Sequence, residues 1–365
     1  MRIEIDSERI RRNAEAVVTM CAARGVEVAG VTKSCQGDPD IAAAMVAGGV
    51  RVLAESRLDN VRRLRAAGIE AEYMMLRLPA RSAVDEVVRL TDVSLNSEVD
   101  TVRALSRAAR AAGVTHRVLL VIETGDRRDG VLPEDAVAAA RAMSGLPGIE
   151  LAGVATVLGC IGGVLPTPAG MRRIVEVARD IEDALGTRLA VVSGGNTAHL
   201  PFLQRGELPA RINQLRIGEA IVLGVDSTSF NDLPIPHRDA VRIFAEVLEV
   251  KDKPSLPEGP IGIDAFNRVP HWEDRGVRRR AVLELGEMDV RSDCLVPLRP
   301  GVTRVGASSD HLVLDVTDAE PPVAVGDELE FDVIYPALST AMASACATRV
   351  IRPMGAAGGA PVAVA

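Results

Sequence analysis

A lysine at the end of a short apolar run is the residue of this chain with the clearest capacity for chemistry. Lys33 closes the segment Val28–Lys33, shortly before Gly37. At the carboxyl end of a parallel strand, such an amine lies where α/β barrels carry their catalytic groups. A desolvated lysine there loses its proton readily and can act as a Schiff-base nucleophile. Taken alone, the residue is more typical of a charged side chain that ends a strand and lies in solvent.

Four later apolar segments are also followed by polar or glycine-rich residues. The turn Ser193–Thr197 reads Ser-Gly-Gly-Asn-Thr, and its successive backbone N–H groups and hydroxyls are suited to holding a phosphate. Barrels often bind phosphate near strands seven and eight, although a flexible loop is the alternative interpretation. The other three segments are 123–130, 156–164 and 215–219.

A repeating arrangement of strands and helices must position these residues. Between residues 8 and 232, apolar strands alternate with amphipathic helices such as Ile41–Ala47, Val99–Ala112 and Ala169–Leu185. Because parallel strands need crossover helices, this alternation predicts an α/β fold, a (β/α)₈ TIM barrel. The eight predicted strands are Glu27–Thr32, Arg51–Ala54, Tyr73–Leu76, Val93–Leu95, Arg117–Glu123, Ala152–Thr156, Ala190–Val192 and Gln214–Leu215.

The pattern changes in the last third of the chain, where β-rich segments are broken by proline and glycine. We predict that residues 233–355, together with residues 1–7, form a mostly antiparallel C-terminal β domain. The Gly/Ala-rich tail 356–365 is predicted to be flexible. The predicted strands of this domain are Arg2–Ile5, Arg242–Val250, Val282–Leu285, Arg304–Gly306, His311–Val316 and Glu328–Asp332.

Composition excludes several classes of protein. Aromatic residues make up only 2% of the chain, so the core is predicted to consist of Val, Leu, Ile and Ala, as in barrel interiors. A net charge of −8 without a basic patch argues against nucleic-acid binding. No apolar stretch approaches the roughly 20 residues of a membrane span. Five cysteines without a Cys-x-x-Cys pair, and no signal-peptide pattern, predict a reduced, cytoplasmic protein.

In their order and spacing, the motifs resemble the alanine-racemase-like group of fold-type III pyridoxal-phosphate enzymes, most closely its ornithine racemase branch. The resemblance extends over nearly the whole chain. The matching segments are Val31–Lys33, Gly37–Pro39, Leu76–Pro79, Cys160–Val164, Pro166–Thr167, Ser193–Asn196, Leu215–Glu219, Asp264–Phe266, Glu273–Gly276 and Gly306–Leu312.

The resemblance implies a role for each matching residue. Lys33 would bind pyridoxal 5'-phosphate covalently and exchange the Cα proton on one face of the substrate. Arg216 would face the pyridine nitrogen and leave it unprotonated. Arg128 would bind the substrate carboxylate, a task suited to a guanidinium, with Cys160 also at the substrate site. The cofactor would be held further by Ser193, Gly194, Gly195, Asn196, Ile217, Gly218 and Tyr335.

Racemisation needs a proton-transfer group on each face of the substrate carbon. In alanine racemases the second group is a tyrosine of a Gly-Tyr-x-Asp-Gly segment of the partner subunit, but the segment matched here, Leu285–Val290, has no tyrosine. His311, next to Asp310, is suited to this role because imidazole titrates near neutral pH. Asp289 could instead bind the second amino group of a diamino acid. The candidates for the second group are therefore Asp310, His311, Asp289, Glu287 and Cys160. The other histidines, predicted to be surface or loop residues, are His116, His199, His237 and His271.

The predicted function is a pyridoxal-phosphate-dependent racemase that interconverts the L and D forms of ornithine or another basic or small amino acid. The resemblance also implies a homodimer whose active site is shared between chains, and no metal. The alternative is a fold-type III lyase, a D-amino-acid aldolase or dehydratase, whose divalent metal Asp310 and His311 would help to bind. A decarboxylase is disfavoured because its late Cys-Glu-Ser-type motif is absent, and a single-domain cofactor carrier because this chain has a second domain.

Overall fold

The computed structural model describes residues 1–355 and the backbone of Val362–Val364. These residues form two compact units. The first is Glu8–Arg238, and the second combines Met1–Ser7 with the chain from Asp239 onward. The tail predicted at 356–365 lies outside the described residues, apart from the strand Val362–Val364. Within the described part of the chain, no helix is both long and apolar enough to cross a membrane.

The first unit is a closed barrel of eight parallel strands, which confirms the predicted TIM barrel. Each strand pairs with its successor in the chain, and the last pairs with the first to close the barrel. Numbered after the strand β1 (Arg2–Asp6), the barrel strands are β2 (Glu27–Val31), β3 (Val52–Glu55), β4 (Glu72–Met75), β5 (Val93–Asn96), β6 (His116–Val121), β7 (Ile149–Ala155), β8 (Val191–Ser193) and β9 (Gln214–Ile217).

Helices connect the barrel strands, and several begin at residues whose side chains cap them. Asp38 accepts hydrogen bonds from the backbone of Asp40 and Ile41, and Pro39 occupies the first turn of that helix. Thr167 caps a later helix in the same way through the N–H of Gly170. The helices are α1 (Ser7–Ala22), α2 (Pro39–Ala47), α3 (Leu58–Ala66), α4 (Val84–Leu90), α5 (Val99–Ala112), α6 (Ala136–Ser144), α7 (Pro168–Leu185), α8 (Leu200–Arg205) and α9 (Glu219–Leu223).

The barrel interior is filled by aliphatic side chains, as the low aromatic content predicts. Val, Leu, Ala and Met residues from six of the strands form one buried cluster, and the partly buried Val191 of β8 packs against it. Gly153 allows β7 and β8 to approach closely, because a Cβ atom there would lie 1.9 Å from the carbonyl oxygen of Val191. This packed core fixes the carboxyl ends of all eight strands at one rim.

The second unit is a mostly antiparallel sheet, again as predicted. Its strand order is β13-β14-β11-β10-β1-β16-β17, with β15 pairing both β10 and β12. Only the pairing of β1 with β16 is parallel among the described strands of this unit. Its other elements are β10 (Val241–Pro254), β11 (Val277–Leu283), β12 (Leu295–Pro297), β13 (Thr303–Ala307), β14 (Leu312–Asp315), β15 (Glu328–Val333), α10 (Tyr335–Ala341), β16 (Thr348–Arg352) and β17 (Val362–Val364).

Candidate active site

Lys33 lies at the carboxyl rim of the barrel, in a short 3₁₀ turn that follows β2. The preceding residue, Thr32, fixes this turn through its backbone. Its N–H donates to Ala54 of β3 at 3.2 Å, and its carbonyl accepts from Cys35 at 3.0 Å and from Gly37 at 3.2 Å. Lys33 therefore lies in a turn that backbone hydrogen bonds hold in place, rather than in a flexible loop.

The amine of Lys33 has surroundings that favour its neutral form. Burial lowers the pKa of Lys33, and the guanidinium groups of Arg128 and Arg216 lower it further, whereas Cys160 and Glu55 act in the opposite direction. Within the described residues, the Nζ atom donates no hydrogen bond. A lowered pKa makes a lysine amine a better nucleophile and proton acceptor near neutral pH, which is the chemistry expected for Lys33 from the sequence.

Arg216, on β9, lies buried within the same rim. Its guanidinium donates to the carbonyl and hydroxyl oxygens of Ser193 and to the carbonyl oxygen of Thr156. Burial lowers the pKa of Arg216 to about 10, with Arg128 contributing in the same direction. The group still carries its charge at neutral pH, and three fixed acceptors hold it between the ends of β7, β8 and β9.

The turn after β8 has backbone donors suited to a phosphate. Gly194 donates to Gln214 at 3.0 Å, and the carbonyl of Gly195 accepts from Arg216 at 2.9 Å. Asn196 is anchored by its Nδ2 atom, which donates to the carbonyl of Leu158 at 2.8 Å. Among the described residues, the N–H groups of Gly195 and Gly218 have no hydrogen-bond acceptor. Since both lie just beyond the ends of neighbouring strands, they fit the predicted phosphate group.

Both of these glycines are required by close contacts. A Cβ atom on Gly195 would lie 2.1 Å from the ring of His199, and one on Gly218 would lie 2.8 Å from the carbonyl oxygen of Val31. Gly195 also has a φ angle of +152°, which side-chain-bearing residues rarely adopt. These contacts keep the two unpartnered N–H groups in place.

The loops after β6 and β7 bring together the predicted substrate-binding residues. Arg128 pairs with Asp129 at 2.9 Å, and its Nη1 atom lies 3.5 Å from the sulfur of Cys160. The N–H of Cys160 donates to Asp126 at 3.0 Å, which joins the two loops. Because Arg128 and Cys160 both act electrostatically on Lys33, they belong to the same cluster as Arg216.

Two histidines and one carboxylate at or near the barrel were misjudged or missed from the sequence. The prediction that His116 and His199 are surface or loop residues is wrong, because each is only 1% exposed. Burial lowers the pKa of both to about 4, and Ser94 lies 2.8 Å from the ring of His116. Glu55, at the end of β3, is fully buried beside Lys33. The polar residues that follow Glu55 could have drawn attention to this strand end.

The remaining predicted site residues lie in the second unit, where two of their segments are in contact. Met288 donates its N–H to Ser309 at 3.1 Å, so the turn bearing Asp310 and His311 packs against the turn bearing Asp289. His311 is exposed, and Asp289 accepts from Gly286 at 3.0 Å. Tyr335, half-buried, begins α10.

Glu287, another candidate for the second proton-transfer group, is already paired. Arg268 and Ser292 each donate to its carboxylate at 2.9 Å, and Arg304 at 3.4 Å. Burial raises the pKa of Glu287, but the donors outweigh this effect and lower it below its ordinary value. A carboxylate in this state is a poor proton acceptor near neutral pH. No group of three or more His, Cys, Asp or Glu side chains is arranged to hold a metal within the described residues.

A family model and curated proteins match most of the chain. The model for the N-terminal domain of alanine racemase matches residues 5–225. A lysine racemase of Thermotoga maritima is 41% identical over 352 residues, which cover 96% of this chain and 98% of that protein. An ornithine racemase of Acetoanaerobium sticklandii is 35% identical over 338 residues, which cover 92% of this chain and 95% of that protein.

Solved structures share the fold at low identity. A D-threonine aldolase from Filomicrobium marinum superimposes with a TM-score of 0.74 at 18% identity, covering 99% of this chain and 92% of that one. An alanine racemase of Clostridium difficile 630 gives a TM-score of 0.72 at 18% identity, covering 99% and 97%. At such identities these structures show the architecture alone.

Proposed function

Since the chain belongs to the alanine racemase family, we propose that it interconverts the L and D forms of a basic amino acid, with pyridoxal 5'-phosphate as its cofactor. The observation that carries this proposal is the Lys33 amine. It lies at the barrel rim with its pKa lowered by burial and two guanidinium groups, in the same cluster as Arg216 of the strand that follows the phosphate-type turn. Lysine and ornithine are the favoured substrates because relatives with these names match nearly the full chain.

The cofactor's contribution is to delocalise the negative charge left on Cα when its proton is removed. The residues of the barrel supply binding and proton transfer. Lys33 takes or returns the proton at Nζ on one face of Cα. Arg128 binds the substrate carboxylate, with Cys160 beside it, and Arg216 faces the ring nitrogen as a fixed cation that has no acceptor to offer. The phosphate is held by Ser193, Gly194, Gly195, Asn196, Ile217 and Gly218.

The second unit supplies the opposite face. We propose that His311, assisted by Asp310, is the second proton-transfer group, that Asp289 binds the distal amine of the substrate, and that Tyr335 reaches the cofactor phosphate. In a homodimer these residues come from the partner chain, as the family resemblance implies. The five free cysteines support the predicted cytoplasmic location.

A chiral screen tests the function directly. Purified protein loaded with pyridoxal 5'-phosphate is incubated with each enantiomer of lysine, ornithine, arginine, alanine and serine, with and without a chelator. We expect lysine or ornithine to racemise at least about tenfold faster than alanine, with no loss on chelation, and Lys33→Ala to be inactive. A cofactor-loaded protein that racemises none of them would overturn the proposal, and activity lost with the chelator would favour a lyase.

A further inference from the structure

Glu55 is a buried carboxylate to which the proposed mechanism gives no task. It ends β3 at the barrel rim, and its side chain is 0% exposed. The pairing register places Val31 opposite Ala54, so Thr32 and Glu55 are the next residues of the two neighbouring strands. A carboxylate without solvent is costly unless protein groups stabilise it, so its position needs an explanation.

The carboxylate is surrounded by hydrogen-bond donors. Thr32 donates its hydroxyl to Oε1 at 2.8 Å, while Oε2 accepts from the N–H of Ser56 at 2.8 Å and from Nδ2 of Asn60 at 3.2 Å. Both oxygens act as acceptors, which is the pattern of an ionised carboxylate. Burial raises the pKa of Glu55 above its ordinary value, and these donors oppose that rise without cancelling it.

Two of these partners hold the turn that carries Lys33. Thr32 precedes Lys33, and its carbonyl oxygen accepts the backbone bonds that close the turn. Asn60 packs against the end of the same turn, where a Cβ atom on Gly37 would lie 2.6 Å from the Cβ of Asn60. Glu55 thus bonds Thr32 at one end of the turn and Asn60 of α3, which packs against the other end.

The charge of Glu55 acts on the pKa of Lys33 in the same direction as Cys160 and opposes the effect of the two arginines. The titratable groups that act on its amine are Arg128 from the loop after β6, Cys160 from the loop after β7, Arg216 from β9, and Glu55 from β3. Arg128 and Arg216 destabilise the protonated amine. Glu55 is the carboxylate among these groups, and it favours the protonated form.

We propose that Glu55 is a positioning residue that fixes the turn carrying Lys33 and supplies the negative charge that balances Arg128 and Arg216 at the Lys33 nitrogen. This inference rests on the cofactor assignment of the proposed function, although it does not depend on which amino acid is racemised.

Glu55→Gln tests the charge with little change of shape. The measured quantity is the pH midpoint at which the visible absorbance band of the pyridoxal-phosphate-loaded protein changes, since this band reports the protonation of the Lys33 nitrogen. We expect the midpoint to fall by about one pH unit, because loss of a nearby opposite charge disfavours the protonated form. Glu182→Gln is the control. The carboxylate of Glu182 also accepts hydrogen bonds from a backbone N–H and an arginine, but it lies on α7. We therefore expect the absorbance midpoint of Glu182→Gln to match that of the wild type.

Thr32→Val and Thr32→Ser test the positioning. Valine keeps the shape of threonine but removes the hydroxyl that donates to Glu55, whereas serine keeps the hydroxyl. We expect the dissociation constant of pyridoxal 5'-phosphate to rise about tenfold in Thr32→Val, because this variant loses one hydrogen bond to a charged group. In Thr32→Ser we expect the dissociation constant to stay within about twofold of the wild type. These two variants also test the positioning role of Glu55 if Glu55→Gln does not fold.

The outcomes separate this inference from the proposed function. A wild-type protein that forms no cofactor band refutes the proposed function itself. A wild-type band whose midpoint is unchanged in Glu55→Gln, even if that variant melts at a lower temperature, refutes the role of the charge and leaves Glu55 purely structural. Unchanged cofactor binding in Thr32→Val would refute the positioning.

Discussion

Two cations at the barrel rim and two carboxylates of the second unit are held in opposite ways. At the barrel rim, Lys33 and Arg216 lie in a desolvated cluster, and burial lowers the pKa of each. In the second unit, burial raises the pKa of Glu287 and Asp315, but arginine donors outweigh it and lower both values. Asp315, for example, accepts from Arg278 at 2.8 Å and from Arg275 at 3.4 Å.

This difference distinguishes reactive from structural charge. Desolvation without an ion-pair partner lowers the pKa of an amine toward working pH, and perturbed pKa values of this kind are typical of proton-transfer groups. Pairing with arginine stabilises a carboxylate and removes it from proton exchange near neutral pH. Four experiments would test this contrast.

Lys33→Ala should have the largest effect. Removing the amine eliminates both the covalent attachment of the cofactor and one proton-transfer group, so we expect activity to fall by at least about 10⁴-fold. The measurement is racemisation followed by chiral chromatography, with circular dichroism as the check of folding. Residual activity within tenfold of the wild type would show that the desolvated amine is not the reactive group.

Acid should destabilise the barrel before the second unit. His116 and His199 have folded-state pKa values of about 4, below the ordinary 6.5, so each contributes stability that is present above pH 6.5 and lost as the pH falls toward 4. The free energy of unfolding falls by about 3 kcal/mol for each histidine. Because the pKa values of Glu287 and Asp315 are lowered, their contribution to stability is present above the ordinary carboxylate pKa and is lost only as the pH falls from there through the lower folded-state values.

Hydrogen exchange can follow the two units separately. Deuterium uptake of barrel-strand peptides at pH 7 and pH 5 reports the first unit, and the fluorescence of Trp272, the single tryptophan of the chain, reports the second. We expect barrel protection to fall between these pH values while the tryptophan signal is unchanged. If barrel protection and the tryptophan signal were lost over the same pH range, the prediction that the barrel responds to acid before the second unit would be wrong.

His311→Ala tests whether the exposed turn of the second unit takes part in chemistry. If His311 serves the face opposite Lys33, exchange of the Cα hydrogen with deuterated solvent should fall about 10²-fold for one enantiomer and persist for the other. Asp289→Asn should leave that exchange intact but weaken the preference for a basic side chain over alanine. Full exchange of both enantiomers in His311→Ala would sink the assignment.

Glu287→Gln should have the smallest catalytic effect. The amide cannot match the carboxylate as an acceptor for Arg268 and Arg304, so we expect unfolding in urea to show a loss of about 1–2 kcal/mol. Activity should stay within about threefold of the wild type. Loss of exchange for a single enantiomer would instead identify Glu287 as a proton-transfer group and end the distinction between the two units.

The barrel was predictable because its strands are buried on both faces. Such strands are nearly continuous apolar runs, and α5, a helix with a clear apolar stripe, was predicted with its observed bounds. The second unit was harder. β12 has three residues, β16 gains its partner β1 from the other end of the chain, and α10 begins at Tyr335-Pro336 inside a segment without helical periodicity.

The proposed active-site lysine and the phosphate-type turn could be singled out because their residue types and order are distinctive. Glu55 and His199 could not, because the state of each depends on burial that only the folded barrel creates. A glutamate after an apolar run is usually solvated, and a histidine after Ser193–Thr197 has no pattern that indicates a ring packed against Gly195.

The location of β1 makes the second unit discontinuous along the chain. This strand lies between β10 and β16, pairing antiparallel with one and parallel with the other. During synthesis on the ribosome, its first partner emerges only after every barrel residue, and its second emerges later still. The barrel can therefore complete itself while β1 is still unpaired. A fragment that begins at Asp239 would lack an interior strand of its sheet, so the two units cannot be separated as independent proteins by a single cut.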